Sequence, residues 1–335
     1  MLVETAAGLY CPAGGFHIDP WNPVARAVIT HAHGDHARPG SAAYLCAAPG
    51  AGLLTRRFGS GITLETMAYG ERQRIGDVTL SFHPAGHVLG SAQVRLEPHG
   101  VGSEGGVWVV AGDYKRAADP TCAAFEPVPC DTFVTESTFG LPIYRWDSTD
   151  SVLLDTLNWW TANGAEGKSS VLFCYTIGKA QRILAELARH IDRRVFVHGM
   201  MLPMIEAYRE AGVPMLPVES ATEQPRGTSF VGELVLAPLP ARGTPWMRRL
   251  GTHSDAFASG LMRVRGVRRQ RVFDRGFVLS DHADWPALLQ TINETGAHRV
   301  LATHGHAEPL ARYVSELGID GGVIRTAWEG EPTGD

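Results

Sequence analysis

The first 137 residues contain short apolar runs that alternate with turns. Runs of this length, rich in β-branched residues and bounded by turn-forming residues, are typical of β-strands. The clearest are RAVIT (26–30), VTLSF (78–82), AQVRL (92–96), VWVVAG (107–112) and TFVTE (132–136). The pattern therefore predicts a β-rich segment at the start of the chain.

From about residue 148, helix-length segments alternate with short apolar runs, which is typical of a parallel sheet covered by helices. Helices are predicted at 150–160, 178–190 and 202–212, and strands at 169–175 and 194–199. After residue 276 the pattern predicts a strand at GFVLS, a helix near 284–294, a strand at RVLATH (299–304) and a final helix near 307–317.

The composition is that of an ordinary globular protein, with 335 residues, 44% of them hydrophobic and 19% charged. No apolar run approaches the roughly 18 residues that a membrane helix needs, and the N-terminus lacks the basic and apolar regions of a signal peptide. The five cysteines are scattered and contain no C-x-x-C, so we expect reduced thiols. These features predict a cytoplasmic protein without a membrane partner.

Charge is unevenly distributed along the chain. The segment 242–275 contains nine arginines and two acids, a net charge of +7, which leaves −12 for the rest of a chain whose total is −5. A basic segment on an acidic protein indicates either a local polyanion site or a solvated arginine-rich face. The charge distribution alone does not favour either the polyanion site or the solvated face.

The stretch THAHGDH (30–36) places four side chains that can bind a metal within six residues: His31, His33, Asp35 and His36. It follows the RAVIT strand, and loops at strand ends are where such folds keep functional residues. Imidazole and carboxylate without thiolate suit zinc, iron or manganese. The spacing allows His31 and His33 to reach one metal while Asp35 and His36 turn toward a second.

Four more residues of this kind follow other β runs. They are Asp19 in FHIDP, His87 in PAGHVLGS, Asp113 in VVAGDY and His304 in LATHGH. Each alone could be a turn cap or a buried, hydrogen-bonded residue. Because all four stand at strand ends, like the first cluster, the pattern favours one shared site.

The order of these motifs resembles that of the metallo-β-lactamase hydrolases. The resemblance implies an α/β fold, an αββα sandwich of two sheets with helices outside and a two-metal centre at one edge. It assigns one metal to His31, His33 and His87 and the other to Asp35, His36 and His304. Asp113 would bridge the metals, and Asp19 would orient a ligand. The expected ions are two divalent metals, zinc first, with manganese or iron as alternatives.

Further motifs resemble those of the β-CASP nucleases, a subgroup of this fold that acts on nucleic acids. They are TESTFG (135–140) with Glu136, LSDHADW (279–285) with His282, AGHVLGSA (85–92) and YTIGKAQRIL (175–184). The subgroup carries an inserted α/β domain between the first two of these motifs. The resemblance therefore implies a metallo-β-lactamase domain in two parts, 1–140 and 276–335, with the inserted β-CASP domain at 141–275.

Within the subgroup, the chain is most similar to bacterial DNA-ligase-associated exonucleases, on the basis of GLYCPAGGFHIDPW (8–21), HARPG (36–40) and GTPWMRR (243–249). The resemblance implies a DNA exonuclease of repair that uses a metal-activated water. Its substrate would be DNA that is single-stranded or has free ends, and its candidate partners would be a DNA ligase and a helicase.

The expected catalytic residues are His282, Glu136 and Asp35. Imidazole titrates near neutral pH, so His282 is the candidate acid for the leaving oxygen. Glu136 would orient His282 and keep it protonated. Without the resemblance, a strand-end carboxylate such as Glu136 is better explained as a surface residue.

Substrate contacts are expected at two sets of residues. Ser137, Thr138, Ser280 and His306 would donate hydrogen bonds to a terminal phosphate, although small polar residues in such places are equally typical of turn caps. Arg248, Arg249, Arg268 and Arg269 would contact the nucleic-acid backbone.

Three other functions compete with a DNA exonuclease. An RNase of the same subgroup would use the same catalytic residues. A small-ester or thioester hydrolase would lack the inserted domain and a residue equivalent to His282. A scaffold without activity would be expected to have lost ligands that this chain retains.

Overall fold

The chain divides into two units in the computed structural model, which describes residues 1–99, 106–264, 266 and 272–325. The first unit contains Met1–Tyr144 together with residues 282–325, and the second contains Arg145–Asp281.

The first unit contains two mixed sheets. The first sheet has its strands in chain order: β1 (Val3–Thr5), β2 (Gly8–Cys11), β3 (Phe16–Ile18), β4 (Arg26–Ile29), β5 (Ala43–Ala47) and β6 (Leu64–Met67). Strands β3 to β6 are parallel, and helix α1 (Ala51–Phe58) connects β5 to β6. These parallel strands therefore all end at the same edge.

The second sheet combines an antiparallel part and a parallel part. Its strands are β7 (Arg72–Ile75), β8 (Val78–Pro84), β9 (Ala92–Pro98), β10 (Trp108–Val110), β11 (Thr132–Glu136), β18 (Arg299–Thr303) and β19 (Asp320–Val323). They lie side by side in the order β19-β18-β11-β10-β9-β8-β7. Strands β10, β11, β18 and β19 are parallel. Because β9 is antiparallel to both β8 and β10, β8 also runs in that direction.

The apolar core of the first unit lies between these sheets. Successive side chains of a strand point to opposite faces, and Val78, Leu80 and Phe82 of β8 accordingly share one cluster with Phe16 and Val28 of the first sheet. The opposite face of the second sheet packs against helices α5 (Trp285–Thr295) and α6 (Ala307–Glu316). Burial on both faces explains why β10 and β18 are nearly continuous apolar runs.

The second unit is built on one parallel sheet. Its strands are β12 (Ser169–Phe173), β13 (Val195–Val197), β14 (Val218–Ser220), β15 (Leu234–Ala237), β16 (His253–Ala258) and β17 (Arg275–Phe277), in the order β14-β13-β15-β12-β16-β17. Helices α2 (Thr149–Ala165), α3 (Lys179–Leu187) and α4 (Leu202–Glu210) cover one face. Short 3₁₀ helices and loops cover the other.

Helix α3 is buried along its whole length, although it contains charged residues. Lys179 Nζ lies 2.9 Å from one oxygen of Asp281, and an Arg182 nitrogen lies 2.9 Å from the other. The two cations also donate to the carbonyl groups of Leu279 and Ser280, at 2.8 and 2.6 Å. Charged groups are rarely buried unless they are paired, so this network fixes the segment that ends at Asp281.

The fold is mixed α/β, as the alternation of strands and helices predicted. The predicted elements are present, and their observed ends differ by a few residues from the predicted ones. Among the described residues, no helix combines the length and apolar content needed to cross a membrane. The predicted contact residues Arg268 and Arg269 and the C-terminal tail lie outside the described residues.

We predict that Asp281→Ala lowers the free energy of unfolding by roughly 3–5 kcal/mol, because it leaves two buried cations without their carboxylate. Denaturant-induced unfolding measures this change. The control is Asp150→Ala, which removes a 3.3 Å contact to Arg189 on the exposed surface and should leave the unfolding midpoint almost unchanged. Equal, small effects of the two variants would contradict the role given to the buried network.

Candidate metal centre

The candidate metal-binding residues converge because their strands end at one edge of the sandwich. In the first sheet, Asp19 follows β3 and the His31–His36 loop follows β4. In the second sheet, His87 follows β8, Asp113 follows β10, Glu136 ends β11 and His304 follows β18. The loops at the carboxyl ends of these strands thus bring together residues from distant parts of the chain.

A first group contains the side chains of His31, His33, His87 and Asp113. One possible ligand atom from each lies within 4.8 Å of the others, and all four residues are buried. His87 Nε2 lies 3.0 Å from His33 Nδ1, a separation at which one of the two nitrogens must carry the hydrogen.

A second group contains Asp35, His36 and His304, again with ligand atoms within 4.8 Å of one another. The Asp113 carboxylate lies between the two groups. Its Oδ2 atom is 3.4 Å from Nε2 of His31 in the first group and 3.4 Å from Nε2 of His36 in the second. One carboxylate oxygen is therefore available to both groups.

Asp19 fixes the orientation of two loop residues. One of its oxygens accepts from the backbone N–H of Thr30 at 2.8 Å, and the other accepts from the Thr30 hydroxyl at 2.5 Å. That second oxygen also lies 2.8 Å from His36 Nδ1. Because the Nδ1 hydrogen is directed at Asp19, the Nε2 lone pair of His36 is free to face the group.

The loop that carries His304 is held in a rare backbone conformation. His304 has φ 57° and Gly305 also has φ 57°, a region that non-glycine residues seldom adopt. The Ser137 hydroxyl donates to the carbonyl of Thr303 at 2.9 Å and also contacts that of His304. A Cβ at residue 305 would lie 2.5 Å from Thr138 Cα, so only glycine fits there.

Charge and burial set the protonation of the cluster. Burial lowers the pKa of His31 to about 4 and that of His87 well below its ordinary value, so both rings are neutral at pH 7. Burial also disfavours charge on His36, but Asp113 and Asp35 raise its pKa well above the ordinary value. Although burial opposes its ionisation, His36 and His282 hold the pKa of Asp113 well below the ordinary range. Neutral histidines and ionised carboxylates are the forms that bind metals, so an ion bound at the second group would have to displace the extra proton of His36.

The cluster has the properties of a metal site, because several of its buried polar atoms have no hydrogen-bond partner. These atoms are Nε2 of His31, Nε2 of His36 and Oδ1 of Asp35. An unsatisfied buried polar atom costs about 1–3 kcal/mol, and cations bound at the first and second groups would satisfy all three. The imidazole and carboxylate groups suit zinc, manganese or iron. These residues can therefore hold a metal ion.

A third group contains Asp113, Glu136 and His282. His282 Nδ1 lies 2.8 Å from Glu136 Oε2, a direct hydrogen bond with no room for an ion between the two atoms. The other Glu136 oxygen accepts from the backbone N–H of Tyr114 at 2.8 Å. Burial raises the pKa of Glu136, while His282 beside it opposes that rise. We interpret the pair as a hydrogen-bonded dyad beside the metal-binding groups.

The four residues predicted to donate hydrogen bonds to a terminal phosphate lie in different surroundings. Ser137 is fully buried and its hydroxyl contacts backbone carbonyls, so it holds the His304 loop. The neighbouring Thr138 is also buried. His306 is partly exposed, its ring centroid lies 5.9 Å from that of Tyr144, and burial lowers its pKa. Ser280 belongs to the second unit, where it is buried and its carbonyl accepts from Arg182.

Two of the four arginines predicted to contact nucleic acid are described by the structure. They are Arg248 and Arg249, and both lie in the second unit. Arg248 is exposed, and the guanidinium of Arg249 donates to the carbonyl of Gln224. Elsewhere in the basic segment, Arg242, Arg263 and Arg275 pair with Asp255, Asp147 and Asp155.

Sequence reasoning missed two residues that support the centre. Thr30 donates to Asp19, and its hydroxyl oxygen also lies 3.1 Å from His31 Nδ1. Its place directly before His31 was the available signal. Arg57 of α1 donates to the carbonyls of Ala32 and Ala37 at 2.6 and 3.1 Å, and so closes the His31–His36 loop. Nothing in the local sequence around Arg57 indicates this contact.

Comparison with known proteins identifies similar chains. No protein-family profile matches the chain. A protein of Opitutus terrae named "Probable DNA ligase" is 31% identical over 96% of this chain, which covers 31% of that protein. The "Transcription termination factor FttA" of Pyrococcus abyssi is 28% identical over 41% of this chain, or 22% of its own length. The chain thus spans a third or less of the length of these relatives.

A solved structure from Enterococcus faecalis, described as a protein of unknown function, is similar in fold. Its TM-score is 0.57 at 11% identity, with 91% of this chain and 80% of that chain covered. At this identity the similarity concerns the fold alone.

We predict that His33→Ala and Asp113→Ala each lower the amount of zinc or manganese bound per chain, because each removes a ligand atom from the first group. Elemental analysis after dialysis against the metal measures the stoichiometry. His298→Ala is the matched control, because its ring is exposed and outside the three groups. Unchanged metal content in the ligand variants would show that these side chains do not hold the ion.

Proposed function

We propose that the protein is a metal-dependent DNA exonuclease with a metallo-β-lactamase domain, formed by residues 1–140 and 276–335, and an inserted β-CASP domain at 141–275. The observation that carries this proposal is the position of Asp113, with one oxygen 3.4 Å from a nitrogen of each histidine group. A shared carboxylate between two sets of ligands suits a pair of ions, and paired ions suit phosphodiester hydrolysis.

The proposed ligands of one ion are His31, His33 and His87, and those of the other are Asp35, His36 and His304. Bound divalent ions, zinc before manganese or iron, would supply a nucleophilic water and offset the negative charge that develops on the phosphate. The chain's own contribution is to hold the ligand rings in one tautomer. Asp19 does so for His36 through its 2.8 Å contact with Nδ1.

The His282–Glu136 dyad would handle the proton of the leaving oxygen. Glu136 engages Nδ1 of His282 at 2.8 Å, which leaves Nε2 on the far side of the ring to donate to the oxygen that departs. Glu136 is itself fixed by the Tyr114 N–H, so the imidazole keeps one orientation. A positioned acid of this kind contributes about 10²–10⁴-fold to the rate.

DNA is the favoured substrate because of the Opitutus relative, whose name is that of a DNA ligase. This chain matches 31% of that relative, which leaves room there for further domains. We therefore propose a role in cytoplasmic DNA repair beside a ligase, with a helicase as a second candidate partner. An exonuclease would supply the ligase with trimmed DNA ends.

An RNase is the second candidate, and the Pyrococcus relative favours it, since its name refers to transcription. The same ligands and dyad would cleave RNA. Matched DNA and RNA strands of one sequence, end-labelled and digested with a panel of metals, separate the two substrates by the ratio of their kcat/KM values.

We predict that His282→Ala lowers kcat roughly 10²–10⁴-fold, while the metal content stays that of the unaltered protein. Glu136→Gln should also lower kcat, because it weakens the contact that orients His282. Single-turnover cleavage and elemental analysis measure the two effects. A loss confined to KM would instead make His282 a phosphate-binding residue.

We also predict that a linear single-stranded DNA is shortened progressively while the same DNA closed into a circle survives. An exonuclease has to receive a strand end, whereas the hydrolysis itself is the same anywhere along the strand. Both forms are incubated under one metal and salt condition and resolved on a denaturing gel. Comparable cutting of the circle would identify an endonuclease.

A further inference from the structure

The second unit contains an open groove of about 700 Å³ between the loop at 225–230 and the 3₁₀ helix Pro245–Leu250. Three arginines line it: Arg226, Arg248 and Arg249. No carboxylate is among its described lining residues. The groove therefore concentrates positive charge on a protein whose net charge is −5.

These arginines differ from most others of the second unit. Arg226 and Arg248 are exposed and have no carboxylate within 4.0 Å among the described residues. Eight arginines of the same unit do pair with a carboxylate: Arg182, Arg189, Arg193, Arg194, Arg209, Arg242, Arg263 and Arg275. The charge of the groove is thus left without compensation by the protein itself.

Arg249 is held in place without being neutralised. Its guanidinium donates to the carbonyl of Gln224, and its buried Nε atom has no hydrogen-bond partner. A carbonyl carries no net charge, so the guanidinium keeps its full charge at the groove. Among the described residues, the three guanidinium groups that line the groove have no carboxylate partner, which indicates an anionic ligand with several oxygens, such as a phosphate.

The aromatic ring of Trp246 forms another part of the groove wall. The indole N–H of Trp246 donates to the Thr222 hydroxyl at 3.2 Å, and the His198 ring meets the indole at a 62° angle with centroids 4.6 Å apart. These contacts fix a partly exposed ring among the arginines. Cationic side chains that follow a backbone, with an aromatic ring for base stacking, form the combination that binds single-stranded nucleic acid.

We propose that this groove, with Arg226, Arg248, Arg249 and Trp246, binds single-stranded DNA and anchors the strand on the second unit. The inference rests on the proposed function for the identity of the strand, which would be the one that the metal centre shortens. Duplex DNA is disfavoured as the ligand, because its bases are stacked on one another and offer no free face to Trp246.

The test measures binding and cleavage separately in the full chain. Binding of a fluorescent oligothymidylate of about 12 nucleotides is followed by anisotropy in the metal-loaded His282→Ala background, where cleavage is slow. Cleavage of bis-(p-nitrophenyl) phosphate, which has no nucleotide strand for the groove to hold, is followed in the unaltered background. The groove variant is Arg226→Gln with Arg248→Gln, and the control is Arg193→Gln with Arg194→Gln, two exposed arginines of the same unit.

The groove variant should bind the strand more weakly. The slope of the logarithm of its binding constant against the logarithm of the salt concentration should become shallower by about 0.7 for each phosphate that is no longer neutralised. Its cleavage of the small diester should be unchanged. Trp246→Leu should weaken binding roughly 5- to 150-fold, and an abasic strand should abolish the difference between it and the unaltered protein. Thermal unfolding checks that each variant is folded.

Several results would overturn the inference. They are unchanged affinity in the groove variant, an equal loss in the control pair, tighter binding of a duplex of the same length, or equal displacement of the strand by polyglutamate. Failure of the proposed function looks different, because neither the small diester nor the DNA would then be cleaved by any variant, whatever the groove binds.

Discussion

The stability of the first unit depends on how charge is balanced among the polar side chains of its metal-binding groups. The seven residues of the first two groups come together at one edge of the sandwich, and all of them except Asp35 and His304 are buried. Asp113 is central to this balance, because its carboxylate lies within 4 Å of histidines from both groups and of His282. His36 and His282 favour its ionised form, and that form is the one able to compensate cations. A metal ion bound by these residues would therefore stabilise the folded protein.

Backbone strain is concentrated at the same edge. Among the described residues, three non-glycine residues have positive φ, and two of them are Asp19 and His304. Gly112 lies beside Thr30, where a Cβ would approach the Thr30 side chain to 2.7 Å, so the Asp113 loop can pass close to the His31 loop. Strained residues of this kind persist where their surroundings fix them. Here the hydrogen bonds of Asp19 and the contacts of Ser137 do so.

The strand-end residues could be predicted from the sequence, because short continuous apolar runs end just before His31, Asp113 and His304. The α/β class followed from the same patterns. The supporting contacts could not be predicted, since Arg57 reaches the His31 loop from a helix and Lys179 meets Asp281, which is 102 residues away in the chain. The groove could not be predicted either, because its arginines at 226 and 248 belong to separate segments of the chain. The local pattern of the basic segment did not distinguish paired arginines from unpaired ones.

We propose that two ions, shared through Asp113, act together on a phosphodiester. A titration of zinc or manganese into metal-stripped protein tests this most directly, with nucleotide release from linear single-stranded DNA and bound metal measured on the same samples. We expect little release at one ion per chain and a rise in rate as the second ion binds. Full activity at one ion per chain, or activity that survives complete removal of metal, would contradict it.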